Sequence, residues 1–147
     1  NRIPHRGVVG GALCAVMLLC AMSATAAPAR SSVMLSEETD TAVIANGAAL
    51  SGMVDSGGMR LVGILTPAAV TGTQMTLQAS PDRGVTFFDV YDAAGNEYVI
   101  TVGASRFIPI DPAATAGMRY LRLRSGTAAS PVNQAQSTTS TLFFRSM

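Results

Sequence analysis

The sequence predicts an all-β domain, an antiparallel sandwich or barrel of about eight short strands, preceded by a short apolar N-terminal segment. Three observations support this class. Beyond Met34 no stretch sustains a 3.6-residue apolar period. "QMTLQA" and "MRYLRLRS" alternate with period two. Turn residues recur between the apolar runs, at Asn46-Gly47, Ser56-Gly57-Gly58, Asp82-Arg83-Gly84 and Asp92 to Gly95.

In chain order, "TAVIANGAALS" (Thr41–Ser51) is an apolar strand run with a turn or bulge at Asn46-Gly47. "MRLVGILT" (Met59–Thr66) is a buried strand ended by Pro67. In Gln74–Ala79, Met75, Leu77 and Ala79 point to the core, and Gln74, Thr76 and Gln78 to a wet face. "VTFFDVY" (Val85–Tyr91) and "EYVITV" (Glu97–Val102) follow as the arms of a hairpin around the Asp92–Gly95 turn. "RFIPI" (Arg106–Ile110) carries Pro109 and so belongs at a sheet edge. "DPAATAGM" (Asp111–Met118) suits one helical turn capped by Asp111. In Met118–Ser125, Leu121 and Leu123 face inward, while Tyr120, Arg122 and Arg124 face out. A small, polar loop then leads to "TSTLFFR" (Thr139–Arg145), the closing strand.

The 147 residues suit one domain. With 48% hydrophobic and 13% charged residues, the chain is not of the disordered, low-hydrophobicity kind. Every Lys/Arg position is arginine, which reads as a coding bias. Seven arginines face nine acids after Val33, a net of −2, so nucleic acid is not an expected partner. Both cysteines, Cys14 and Cys20, and His5 precede Met34. The domain therefore lacks a Cys/His zinc site, a Ser–His–Asp triad, a thiol nucleophile and a disulfide framework.

Residues 1–33 form a segment of their own, and 34–147 the domain. Arg2, His5 and Arg6 precede the apolar run Gly7–Met22, and Ala24-Thr25-Ala26 fits a small-residue cleavage pattern. This has the form of a secretory signal peptide. Met34 offers a second start, in which case residues 1–33 are a translated leader absent from the working protein.

"LQASPDRGVTFFDVYDAAGNEY" and "RYLRLRSG" resemble segments of discoidin-like domains, which are galactose-binding-like jelly rolls. A wider resemblance runs from "IANGAALSGMVDSGGMRLVGILTPAAVTGTQMTLQAS" through "FFDVYDAAGNEY" and "IDPAATAGMRYLRLRSGTAASPVNQ" to "TLFFR". It is to small phage virion proteins of the head-decoration and head-spike type, including those of gene transfer agents. That resemblance implies a jelly-roll sandwich and a non-enzymatic subunit that decorates a capsid or seats a spike or fibre. Its implied partners are other virion proteins and further copies of itself, and its implied location is the virion, assembled in the cytoplasm. The leader departs from this pattern, because assembly there needs no export signal.

Asp82, Asp89, Asp92 and Glu97 are candidate calcium ligands by residue type, but turn chemistry accounts for acids at corners without a metal. Tyr120, Arg122 and Arg124 share a strand face and are the candidate interface residues, since tyrosine and arginine are enriched at interfaces. No catalytic, cofactor-binding or metal-ligating residue is assigned, and no enzyme is expected, because no acid–base pair with supporting groups stands out. The competing expectation is a secreted or periplasmic carbohydrate- or surface-binding module, supported by the leader and the discoidin-like pattern. The absence of tryptophan weighs against a sugar-stacking platform.

Overall fold

The protein is seen here as a computed structural model that describes residues 36–146; the expected leader lies outside the described residues. Nine strands follow in order: β1 (Glu37–Ile44), β2 (Val54–Asp55), β3 (Arg60–Leu65), β4 (Gln74–Ser80), β5 (Phe88–Asp89), β6 (Val99–Thr101), β7 (Phe107–Pro109), β8 (Tyr120–Ser125) and β9 (Thr138–Arg145). All pairings are antiparallel. One sheet has the order β1-β9-β3-β7, and the other has β2-β8-β4-β5 with β6 also on β4. Pro109 lies in the edge strand β7, where a missing N–H costs no ladder bond.

β5 and β6 occupy one edge of β4, opposite β8. Gln78 faces Asp89, and Thr76 faces Val99. The Val90 N–H donates to the Leu77 carbonyl at 3.1 Å. They are therefore one strand interrupted by an excursion of residues 91–98. The expected Asp92–Gly95 turn is present, with the Gly95 N–H donating to the Asp92 carbonyl at 3.0 Å and Gly95 left-handed at φ 84°. The hairpin is corrected only in its extent: its arms pair at the Tyr91–Glu97 bridge, and beyond it both run along β4.

Counted this way, the pairs are nested: β1 with β9, β2 with β8, β3 with β7, β4 with β5–β6. Residues 36–146 are one long hairpin, bent at Ser80–Gly84 and rolled over two sheets. This is the jelly-roll arrangement.

The core lies between the sheets. Leu61, Ile64, Leu142 and Phe144 of the first sheet meet Met75, Leu77, Leu121 and Leu123 of the second. Each such side chain contributes about 1.5–3 kcal/mol by leaving water. A register shift between Leu61 and Gly63 leaves Val62 as a bulge, so Leu61 and Ile64 both point inward. Gln134, 1% exposed, anchors the polar loop before β9: its amide donates to the Thr71 carbonyl and to Ser125 Oγ, and accepts from the Thr71 N–H.

Three further expectations are corrected. β1 begins at Glu37, within an acidic stretch that lacks a strand signature. Asp111–Met118 is a run of turns: Asp111 Oδ1 caps the Ala113 N–H, but no helix forms. Thr76 and Gln78 are buried, because the outer face of β4 is covered.

Candidate functional site

That covering builds the first candidate site. On β8, Tyr120, Arg122 and Arg124 alternate with the core leucines, and register aligns Arg122 with Gln78 and Gln78 with Asp89. Arg122 Nε donates to Gln78 Oε1 at 2.5 Å, and Gln78 Nε2 donates to Asp89 Oδ1 at 2.6 Å. The Arg122 guanidinium lies 4.0 Å from the centre of the Phe87 ring. Arg124 meets Asp89 at 2.5 Å and Glu97 at 3.2 Å. Glu97 also accepts the Ala128 N–H. Arg119 holds Asp55 at 2.9 Å and lies over Tyr120.

The three candidate interface residues are thus brought together but are not equivalent. The expectation that all three face solvent is corrected at Arg124, which is 8% exposed. Two carboxylates converge on it because the excursion brings Glu97 back beside Asp89. Arg122 is half-buried, and no ion pair joins it among the described residues. Burial and the neighbouring Arg124 charge lower its pKa. For Asp89, burial works upward, yet hydrogen bonds from Gln78 and Arg124 and the Arg124 charge hold it below the usual carboxylate value.

The acids at the corners serve their own turns. Asp82 Oδ1 accepts the Thr86 N–H at 2.8 Å and the Ser80 hydroxyl at 2.7 Å. Those bonds lower its pKa to about 2. The corner also needs two left-handed residues, Arg83 and Gly84. Asp92 Oδ1 accepts the N–H groups of Ala94 and Asn96. Among the described residues, no group of three or more His, Cys, Asp or Glu is placed to hold a metal ion.

The excursion creates a second candidate. Between it and the turns at 111–114 lies a cleft of ≈ 380 Å³, lined by Tyr91, Tyr98, Asp92 and Asp111 with neighbouring alanines. Tyr91 is 57% exposed. Two phenols beside two carboxylates suit a polyhydroxylated ligand: the rings offer flat apolar faces and the acids accept hydroxyl protons. Sequence reasoning left this cleft unseen, because the excursion that forms it looked like an ordinary hairpin.

The third candidate is the outer face of the first sheet. Thr39, Phe143, Gly63 and Pro109 form one row across it, and Thr41, Thr141, Leu65 and Phe107 the next. A Cβ on Gly63 would lie 2.5 Å from the Phe107 ring, so the glycine lets that ring lie across β3. Phe107 packs edge-on against Phe143 at 5.1 Å. Val43 (45%), Leu65 (40%) and Phe107 (56%) remain exposed on this face. Glu37, Arg145 and Arg60 form the flanking row.

Fold and sites together define a jelly-roll sandwich with exposed apolar side chains on one outer face, an arginine-lined network on the other and a cleft at the excursion. No family model matches the chain, and no curated protein matches it. It is similar to the crystal structure of the SPBc2 prophage-derived protein YomS. The identity is 12%, over 78% of this chain and 98% of that one, with a TM-score of 0.46.

Proposed function

We propose that this chain is a non-enzymatic structural subunit of a phage or phage-like particle, decorating the capsid or seating a spike or fibre. The observation that carries the reading is the outer face of the first sheet. It carries threonine, valine, leucine and phenylalanine, is hollowed by a cavity of ≈ 440 Å³ at Thr39, Phe107 and Phe143, and has Glu37, Arg145 and Arg60 in its flanking row. Exposed apolar side chains clustered on a regular face favour cover by another protein. The jelly roll supplies a rigid frame, and repeated attachment on a symmetric particle turns weak contacts into strong ones. On the second face, Tyr120 and Arg122 are the contact residues in this reading, and Arg124 holds the face in shape. The chain then works in the virion, with capsid or spike proteins and its own copies as partners. Particles purified from the producing organism should contain it at fixed stoichiometry by mass spectrometry. Recovery only as a free extracellular protein would overturn the reading.

The cleft favours a second reading, a secreted carbohydrate- or surface-binding module. Tyr91, Tyr98, Asp92 and Asp111 would then hold a sugar. Binding on a glycan array that is lost in Tyr91→Ala would support it, and no binding to any glycan would reject it.

A further inference from the structure

We infer that Arg122 is a preformed receptor for a carboxylate of a second copy of this chain, supplied by Glu38 or Asp40 of β1. The inference rests on the subunit reading and names the partner of its second face.

Arg122 is held in place before any partner arrives. Gln78 fixes its Nε, and Phe87 covers one face of the guanidinium at 4.0 Å. Asp89 and Glu97 make their ion pairs with Arg124, and Asp89 acts on Arg122 only through its charge and through Gln78. Its hydrogen bond among the described residues uses Nε, which leaves the two terminal amines, the edge of a guanidinium that takes a carboxylate through two parallel bonds, for a partner. Arg83 and Arg106 are exposed side chains that must lose far more freedom on binding.

The complementary charge lies on another part of the same chain. Glu38 and Asp40 project from the exposed first half of β1, the edge of the first sheet, and neither has an ion pair among the described residues. Glu37 beside them is taken by Arg145. Their side chains share the inward direction of Phe144 and Leu142, their register partners, yet they stand in solvent. Charges placed this way block unspecific edge pairing. Acids on one edge and a receptor on the opposite sheet's outer face form a head-to-tail pair. Such a contact builds rings or open arrays rather than closed dimers.

Sedimentation equilibrium of the full chain at low and high salt tests this. Self-association should weaken with salt, and by about ten-fold in Arg122→Glu. The variant with Glu38→Arg and Asp40→Arg should lose it to the same degree. Mixing the two variants should restore it, because each then offers the charge that the other lacks. Recovery on mixing would not follow from misfolding of either variant. Association unchanged in Arg122→Glu, no recovery on mixing, or a chain monomeric at all concentrations would overturn the inference. The subunit reading would stand or fall separately, on particle composition.

Discussion

Arg124 on β8 reaches across the intervening strand β4 to meet Asp89 on β5 at 2.5 Å. Glu97, at the far end of the excursion, meets the same guanidinium at 3.2 Å. One cation therefore ties β8 to β5 across β4 and holds the base of the excursion to both. Arg124→Met keeps much of the stem and removes the charge, leaving two carboxylates facing each other. The expected loss is about 3 kcal/mol, the low end for a broken buried pair, because Asp89 retains some solvent contact. Urea denaturation measures it, and a loss below about 1 kcal/mol would show that the clamp contributes no more than a surface pair.

Gly126 and Gly95 both have left-handed backbones, at φ 78° and 84°. They differ in space. A Cβ at Gly126 would lie 2.3 Å from the Ser130 carbonyl oxygen and 2.8 Å from the Val132 nitrogen, while Gly95 has nothing within 4 Å. Gly95→Ala should cost about 1 kcal/mol, the backbone penalty alone. Gly126→Ala should cost clearly more, because rigid backbone has to shift. Equal melting temperatures for the two variants would contradict this.

Acid should weaken the fold in a defined window. Asp82 is held near 2 by the Thr86 N–H and the Ser80 hydroxyl, against an ordinary value of 3.8. The unfolded chain therefore takes up this proton first as pH falls. The Asp82 contribution is complete above about pH 4 and is lost as pH drops through 3.8 towards 2. Asp92 and Asp55 are shifted in the same direction by the Asn96 N–H and by Arg119. Melting temperature against pH should fall less steeply in Asp82→Asn than in the parent chain. Identical slopes would show that the corner does not take part in acid unfolding.

A chain that begins at Met34 should fold, since the buried core among the described residues runs from Ala42 to Phe144. Circular dichroism should show a β spectrum with a cooperative thermal transition. Aggregation of this shorter chain, when the full chain stays in solution, would place part of the fold before Met34.

The sequence was most legible where one side of a strand is apolar and the other polar. β4 and β8 agree with the sequence pattern to within about two residues, because Leu77, Leu121 and Leu123 set the period. β2 leaves no trace in the pattern because two residues carry no period. The start of β1 was missed because Glu37, Glu38 and Asp40 suggest solvent rather than a ladder. The site was half legible. Tyr120, Arg122 and Arg124 were correctly placed on one face, but alternation cannot say what covers that face. Whether an arginine ends buried between two acids depends on where the Phe87–Glu97 segment lands. That is a long-range choice which the local pattern does not encode.

The nested pairing of strands also dictates an order of assembly. Ser36 and Ser146 meet only after every inner pair has brought them close, as their mutual hydrogen bonds span the whole described chain. The cheapest first event is closure at Ser80–Gly84, where β4 meets β5 across a short loop and little chain entropy is lost. Each later pair then closes a loop already shortened by the pair before it. Zipping should therefore run outward from that corner, with β1 joining last, and dominance by distant contacts places refolding in the millisecond-to-second range. During that interval the unpaired β9 edge is open to β1 of a neighbouring chain, so strand exchange is the error to look for at high protein concentration.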